Sequence, residues 1–280
     1  MSAGLDPRVT PARPDLAWDG LRDRVAAPRY VAGELKRVGV PVAPLRRHPA
    51  GDAPLDTEAL FGESVRVLEE DAEGWAWVQL LADGYVGYLP AEALAPLGGA
   101  PTHAVRALRT FLFPGPDIKL PPLGALPFGA QVCATGARDR FLATAGGFVF
   151  AGHLAPLDHH EVDPVEVAAR FLGTPYLWGG RSSLGLDCSG LVQTALNACG
   201  IAAPRDSDMQ ERALGAPVAT DGPFRRGDLL FWPGHVALVE APDSLIHANA
   251  FHMAVAREPL APALARIAAA GTELRSAQRL

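Results

Sequence analysis

The chain has 280 residues, of which 49% are hydrophobic and 20% charged, and its formal net charge is −6 at pH 7. This composition is typical of a globular protein with room for two or three domains, and the acidic balance argues against nucleic acid or anionic membranes as partners. The sequence contains no run of about 18 apolar residues, the length that would predict a membrane span.

The cysteine content and the N-terminus indicate the compartment. Three cysteines, an odd number, do not make a disulfide framework. The first residues lack a basic stretch followed by an apolar one, so we expect no secretory signal. The sequence therefore predicts a cytoplasmic protein.

The first 40 residues are rich in proline, arginine and aspartate, and they predict an N-terminal extension with one short helix over about 16–25. From 41 to 98 the pattern changes to alternating apolar and polar residues, over 64–68, 75–80 and 85–90. Short strands at this spacing are typical of a small β-barrel. Residues 101–157 repeat the pattern more weakly and predict a second barrel.

The segment 84–90, Gly-Tyr-Val-Gly-Tyr-Leu-Pro, is similar to the final strand of bacterial SH3 (SH3b) domains. The first barrel therefore resembles an SH3b domain, and residues 101–157 resemble a second, degenerate copy of it.

Cys188 is the candidate nucleophile. Glycines at 179, 180 and 185 interrupt regular structure before it, and apolar residues after it recur at helical spacing, so we expect a helix to begin about at Cys188. A helix N-terminus favours an anion and lowers the pKa of a thiol. The alternative is a buried structural thiol, which is the commoner fate of a free cysteine.

Two histidines could serve the cysteine. Residues 234–240 and 245–250 predict two strands joined by a turn, and in such a hairpin His235 and His247 lie at the same end. One imidazole can then face the thiol while the other orients the first. The alternative is that both are surface histidines.

Five segments appear in the order typical of one family. They are Thr-Pro-Tyr-Leu-Trp-Gly-Gly at 174–180, Asp-Cys-Ser-Gly-Leu-Val-Gln at 187–193, Pro-Arg-Asp-Ser-Asp-Met-Gln at 204–210, Gly-Asp-Leu-Leu-Phe-Trp at 227–232 and Gly-His-Val-Ala at 234–237. Together they resemble the NlpC/P60 cysteine peptidases over about the last 120 residues. The resemblance implies an α+β, papain-like catalytic domain at 160–280, preceded by the two SH3b-type barrels at 41–98 and 101–157.

The resemblance also implies roles for the residues of these segments. Cys188 would be the nucleophile, His235 its base, and His247 the group that orients His235. The backbone N–H of Cys188 would form part of an oxyanion hole. Tyr176 would direct its hydroxyl into the site beside the sulfur, with core packing as the alternative.

The family typically cleaves the bond from γ-D-glutamate to the diamino acid, meso-diaminopimelate or L-lysine, in peptidoglycan stem peptides. The subgroup that carries SH3b domains often requires a free N-terminal L-alanine and closes its pocket with the barrel. By this resemblance Asp187, Ser189 and Ser207 bind that end of the peptide, with Glu63 and Tyr85 contributed by the first barrel. Asp187 has a second, compatible reading as a helix cap.

The sequence therefore predicts a cytoplasmic endopeptidase that recycles cell-wall peptides, with no metal or other cofactor and with a peptide as its partner. Two alternatives stay open at this point: a peptidoglycan-peptide binding protein with an inactive catalytic fold, and an amidase or acyl transferase acting on another amide. The oligomeric state and the choice of diamino acid also stay open.

Overall fold

The computed structural model describes residues 4–280, which divide into two compact units: unit 1, residues 4–157, and unit 2, residues 158–280. Residues 4–280 contain four α-helices, and most of their regular structure is in strands. None of the helices in this part of the chain is long and apolar enough to cross a membrane.

The first half of unit 1 is a seven-stranded antiparallel sheet in the order β5-β4-β8-β7-β6-β3-β9, preceded by a two-stranded parallel sheet of β1 and β2. Alternate apolar side chains of the larger sheet meet in one buried core, because successive residues of a strand point to opposite faces. The strands are β1 (Leu16–Trp18), β2 (Arg29–Val31), β3 (Glu34–Val38), β4 (Val42–Arg46), β5 (Leu55–Leu60), β6 (Ser64–Glu70), β7 (Trp75–Leu80), β8 (Val86–Pro90) and β9 (Leu94–Pro96).

The helix predicted over 16–25 is wrong. This stretch forms β1 and a 3-10 turn at Asp19–Leu21. The fully buried Leu16 packs with Leu68 and Trp77. Packing against the sheet and pairing with β2 therefore override the local helical pattern. Strand β3 also comes from the stretch predicted as an extension, and it pairs with β6 and β9.

The second half of unit 1 contains a three-stranded sheet, β13-β10-β17, and a five-stranded sheet, β12-β11-β16-β15-β14. A smaller apolar core includes Val105, Leu126 and Val149. The strands are β10 (His103–Val105), β11 (Arg109–Phe113), β12 (Gly124–Pro127), β13 (Gln131–Val132), β14 (Ala134–Arg138), β15 (Phe141–Thr144), β16 (Gly147–Phe150) and β17 (Leu154–Pro156).

The two halves of unit 1 share a backbone hydrogen-bonding pattern. Gly62 N donates to the carbonyl of Val38 at 2.9 Å, and Gly129 N donates to the carbonyl of Val105 at 2.9 Å. Both halves also end in a strand, a one-turn 3-10 helix and a further strand, which are β8 to β9 in the first and β16 to β17 in the second. The finer domain boundaries predicted from the sequence stay predictions.

Unit 2 is a six-stranded antiparallel sheet in the order β20-β25-β21-β22-β23-β24, with helices against it and a short β18-β19 hairpin. The elements are α1 (Pro164–Ala169), β18 (Arg181–Ser182), β19 (Gly185–Leu186), α2 (Cys188–Ala198), α3 (Ser207–Ala213), β20 (Ala216–Val218), β21 (Leu229–Trp232), β22 (His235–Ala241), β23 (Ser244–Asn249), β24 (Ala254–Pro259), α4 (Leu260–Ala269) and β25 (Ser276–Arg279).

Helix α2 lies against β22 and β23, and its buried side chains include Leu191, Val192 and Ala195. The helix that begins at Cys188 and the hairpin of β22 and β23 are both present, as the sequence predicts. These two elements carry the candidate nucleophile and its two histidines.

The paired glycines of unit 1 give a matched test of the packing between its halves. Both have positive φ, +81° at Gly62 and +86° at Gly129, where an added Cβ costs about 1–2 kcal/mol. At Gly62 the Cβ would also come within 2.0 Å of the backbone oxygen of Gln131, whereas at Gly129 it would meet only the end of the Leu60 side chain at 3.3 Å. We expect Gly62→Ala to lower the free energy of unfolding by a further 1–3 kcal/mol or so compared with Gly129→Ala.

Urea denaturation followed by pulsed hydrogen exchange, which assigns each transition to peptides of unit 1, measures the difference. Equal losses in the two variants would contradict the close approach of Gly62 to Gln131.

Candidate active site

Cys188 is the first residue of α2, and only 6% of its surface is exposed. The thiol donates a long hydrogen bond, 3.9 Å, to the carbonyl of Gly234, which directly precedes His235. The N-terminus of α2 and the beginning of β22 therefore meet at the sulfur.

The carboxylate of Asp187 caps α2 and accepts five hydrogen bonds from this chain. Its Oδ1 accepts from Gly190 N at 2.7 Å, Ser189 Oγ at 3.2 Å and Arg205 Nη1 at 2.9 Å. Its Oδ2 accepts from Gly179 N at 2.9 Å and Arg205 Nη2 at 2.7 Å. Arg205 is 1% exposed, so this is a buried, bidentate ion pair.

These hydrogen bonds show that Asp187 caps α2, which was the second interpretation of this residue from the sequence. The predicted contact between Asp187 and substrate stays a prediction. Sequence reasoning missed Arg205 as the partner of this carboxylate. Its signal was available, since Arg205 belongs to the Pro-Arg motif, and an acidic cap buried beside the nucleophile needs a cation.

The two predicted histidines are hydrogen-bonded to each other. His235 begins β22 and His247 lies in β23, and His235 Nε2 is 2.9 Å from His247 Nδ1. The other nitrogen of His247, Nε2, is 2.7 Å from Oε1 of Glu258 in β24. Arg266 of α4 donates to the same oxygen at 2.5 Å.

This chain of contacts determines the tautomers. Burial opposes ionisation of Glu258, but hydrogen bonds from His247 and Arg266 outweigh it and hold the pKa of the carboxyl below its usual value. An ionised carboxylate only accepts, so His247 carries its proton on Nε2 and accepts at Nδ1. His235 then donates from Nε2, which leaves its Nδ1 without a proton. That nitrogen is the one available to take the proton of the thiol.

The expectation of a lowered cysteine pKa is wrong for this state of the molecule. Burial, and then the negative charge of Asp187, raise the pKa of Cys188 to about 12, although the backbone N–H groups of Val236 and Ser189 favour the thiolate. Burial first, and then electrostatic interactions with His247 and Arg266, lower the pKa of His235 to about 3. Desolvation outweighs the helix N-terminus, so the resting pair is a neutral thiol and a neutral imidazole.

Tyr176 and Ser189 lie in the same unit as the nucleophile. The half-buried Tyr176 has its pKa raised to about 12 by burial and by the charges of Cys188 and Asp187, so its hydroxyl stays protonated and can donate. The Oγ of Ser189 is engaged with Asp187 and Arg205. Ser189 is therefore joined to the helix cap, and the predicted substrate contacts of Tyr176 and Ser189 stay predictions.

Ser207 is the first residue of α3 and is half-buried. Sequence reasoning missed Gln210, three residues later, whose Nε2 donates to the carbonyls of Ser189 and Pro204 at 2.9 Å each. Gln210 therefore joins α3 to the first turn of α2. Substrate contacts of Ser207 stay a prediction.

Glu63 and Tyr85 lie in unit 1 and are buried there. Glu63 Oε2 accepts from Leu60 N at 2.8 Å, and the ring of Tyr85 belongs to the core of the seven-stranded sheet. Their predicted contact with substrate stays a prediction.

Glu258 is the third site residue that sequence reasoning missed. In the register of β23 and β24, His247 lies opposite Ala256, so Glu258 is its diagonal neighbour on the same face. No local signal in the sequence marks this residue, because the burial of Glu258, which is 7% exposed, follows from the fold. Within residues 4–280, no group of three or more His, Cys, Asp or Glu side chains is arranged to hold a metal ion.

Comparison with family profiles gives two matches. Residues 45–94 match the bacterial dipeptidyl-peptidase SH3 domain, and residues 173–263 match the NlpC/P60 family. The second match contains the nucleophile, both histidines and Glu258.

Curated relatives agree with these matches. The chain is 42% identical over 87 residues to dipeptidyl-peptidase 6 of Lysinibacillus sphaericus, covering 30% of this chain and 31% of that protein. It is 31% identical over 199 residues to the γ-D-glutamyl-L-lysine dipeptidyl-peptidase of Bacillus subtilis, covering 65% of each. The matches thus span about a third of the first relative and just under two thirds of the second.

A solved structure extends the comparison to the fold. The crystal structure of an NlpC/P60 family protein from Bacillus cereus superposes with a TM-score of 0.73 at 21% identity, covering 88% of this chain and 99% of that one. The profile matches, the relatives and the geometry around Cys188 agree. The chain therefore contains a bacterial SH3 domain at 45–94 and an NlpC/P60 domain at 173–263.

Proposed function

We propose that the chain is a peptidoglycan peptidase that hydrolyses the bond between γ-D-glutamate and the diamino acid of stem peptides with a free N-terminal L-alanine. The observation that carries the proposal is Cys188 at the start of α2, next to the hydrogen-bonded pair of His235 and His247. The Bacillus subtilis relative is named a γ-D-glutamyl-L-lysine dipeptidyl-peptidase, which supports the bond type.

In the first step the Nδ1 of His235 takes the proton of the Cys188 thiol, and the sulfur attacks the γ-carbonyl carbon of the substrate. The C–N bond then breaks as His235 gives that proton to the leaving amine of the diamino acid. The product of this step is a thioester between Cys188 and the γ-carboxyl of D-glutamate.

In the second step water hydrolyses the thioester. His235 Nδ1 takes a proton from the water, the oxygen attacks the carbonyl carbon, and the C–S bond breaks. The proton on His235 returns to the sulfur, which restores the neutral pair of the resting site.

Donors for the oxyanion come from two places. Backbone N–H groups in the first turn of a helix have no partner four residues earlier, so the N–H of Cys188 can point at the developing charge. The protonated hydroxyl of Tyr176 supplies a second donor. Each such donor is typically worth about 3–4 kcal/mol in the transition state.

Recognition of the free amine remains part of the proposal. The predicted contacts of that end of the peptide in unit 2 are Asp187, Ser189 and the half-buried Ser207. Because five hydrogen bonds already satisfy Asp187, an ammonium group would share that carboxylate with Arg205. Glu63 and Tyr85 keep their predicted role, as does recycling of turnover peptides in the cytoplasm.

We also propose two finer features of the architecture. The hydrogen bonds that Gly62 and Gly129 share, and the matching ends of the two halves of unit 1, support a second, degenerate SH3b copy at 101–157. The packing of α2 on β22 and β23 supports an α+β, papain-like arrangement of unit 2.

The first test uses four tripeptides: L-Ala-γ-D-Glu followed by meso-diaminopimelate or L-lysine, each with its amine free or acetylated. We expect the wild-type chain to release L-Ala-γ-D-Glu from a free peptide only, as read by mass spectrometry. Cys188→Ala should abolish cleavage because it removes the nucleophile. Cys199→Ala, at the other end of the same helix, is the matched control and should retain activity.

The possible results distinguish the proposed peptidase from its two alternatives. Cleavage of acetylated peptides as well would keep the peptidase and remove both the amine requirement and the recycling role. No cleavage of any peptide, by a chain that binds them, would favour the binding-protein alternative. No binding either would favour another amide as substrate.

The second test is the pH profile. The pKa of His235 is about 3 and that of Cys188 about 12. Between pH 3 and pH 12 the pair therefore holds one proton, which is on the sulfur in the resting site. A folded-state pKa below the ordinary 6.5 means that His235 takes up a disabling proton only well below pH 6.5. We expect kcat/KM for the cleaved tripeptide to stay level as the pH falls through 6.5.

Circular dichroism at each pH checks that the chain remains folded. An acidic limb centred near pH 6.5 would contradict the assignment, provided that it persists in His252→Gln. That variant removes another histidine side chain, which lies 3.5 Å from Glu258.

A further inference from the structure

Glu258 is the only carboxylate that the structure joins to the histidine pair within residues 4–280. It is buried, and its Oε1 lies 2.7 Å from His247 Nε2. Arg266 donates to both carboxylate oxygens, at 2.5 Å to Oε1 and 3.3 Å to Oε2. The carboxylate is therefore fixed in one orientation, with one oxygen directed at His247.

We propose that Glu258 is a positioning residue, which acts through His247 to set the tautomer of His235 and to stabilise the imidazolium that forms when Cys188 loses its proton. The inference rests on the proposed function only in taking Cys188 as the nucleophile. It extends the line of interacting groups by one member beyond the two histidines that the sequence predicted.

The hydrogen-bond chain runs in one direction. With a carboxylate at its far end, His247 donates from Nε2 and accepts at Nδ1, so His235 donates from Nε2 and its Nδ1 is the base. A donor in place of the carboxylate would reverse both tautomers. The proton of His235 would then be on Nδ1, where it could not accept the proton of Cys188.

The charges around Glu258 allow an electrostatic role to be separated from a structural one. Three groups face it: His247 from β23, His252 from the turn after β23, and Arg266 from α4. The negative charge of Glu258 favours protonation of His247, whereas the positive charge of Arg266 disfavours protonation of both His247 and His235. The two partners of one ion pair should therefore affect thiolate formation in opposite directions.

The experiment measures the rate at which iodoacetamide alkylates Cys188 as a function of pH, by peptide mass spectrometry, with Cys199 as the internal reference. We expect Glu258→Gln to lower the rate at neutral pH by at least about tenfold, the effect of one pKa unit. Glu258→Asp, which keeps the charge, should recover part of the rate. Arg266→Gln should keep or raise it.

Arg257→Gln is the matched control. Arg257 precedes Glu258 in β24 but pairs with Glu240 on the exposed side, so the variant loses an ion pair from the same strand without touching the histidines. Its alkylation profile should match that of the wild type.

Several outcomes would overturn the inference. Equal losses in Glu258→Gln and Arg266→Gln would mean that the ion pair only holds β24 and α4 together. If the alkylation rate of Cys188 has the same pH dependence in Glu258→Gln as in the wild type, His247 alone is sufficient to orient His235. Since wild-type Cys188 rests as a buried neutral thiol, its rate is compared only among the variants. If Cys188→Ala cleaves the tripeptides as well as the wild type does, the nucleophile of the proposed function fails instead, and this separates the two failures.

A measurement on the wild-type chain covers the case in which Glu258→Gln does not fold. Nitrogen-15 spectra of labelled histidine distinguish the two tautomers directly. We expect His235 and His247 both to carry the proton on Nε2 at neutral pH. A proton on Nδ1 of His247 would overturn the inference without any substitution.

Discussion

The buried ion pair between Asp187 and Arg205 determines where the nucleophile lies. Two charges removed from water cost several kcal/mol each, and only bidentate geometry with further hydrogen bonds offsets that cost. Here the remaining acceptor positions of Asp187 are filled by Gly179, Gly190 and Ser189. The loop before α2, the first turn of α2 and the segment that carries Arg205 are thus joined at one carboxylate. Cys188 directly follows it in the chain, so the sulfur has little freedom to move.

The histidines are held by a different scaffold. His235 and His247 belong to adjacent strands of the sheet, and Glu258 in the next strand is fixed by Arg266 from α4. The helix cap and the sheet meet at the contact between Cys188 and Gly234. Because the cysteine lies on α2 and the histidines lie on the sheet, the packing of α2 on β22 and β23 determines how well sulfur and imidazole are aligned.

Local patterns in the sequence were sufficient for one kind of feature. The glycines before Cys188 and the apolar spacing after it predict the start of α2, and the alternation around His235 and His247 predicts their hairpin. Glu258 was missed because its partner His247 lies 11 residues away and only the fold selects it. Arg205 belongs to a recognisable motif, but its partner Asp187 lies 18 residues away and the motif does not name it. Tertiary pairing also explains the wrong helix at 16–25. The prediction of a lowered thiol pKa was wrong for the same reason, because a local motif does not show how deeply the fold buries the thiol.

A thiol pKa raised by burial is compatible with a nucleophilic cysteine. Burial disfavours the isolated thiolate and the isolated imidazolium alike, so it penalises any step that changes the net charge of the site. Proton transfer from Cys188 to His235 leaves the net charge unchanged, and two opposite charges 4 Å apart attract by about 4 kcal/mol at an effective dielectric constant of 20. The reactivity of Cys188 then depends on the fixed polar groups around the sulfur and around the imidazole. The N–H groups of Ser189 and Val236 favour the sulfur anion, and the carboxylate of Glu258, reached through His247, favours the cation.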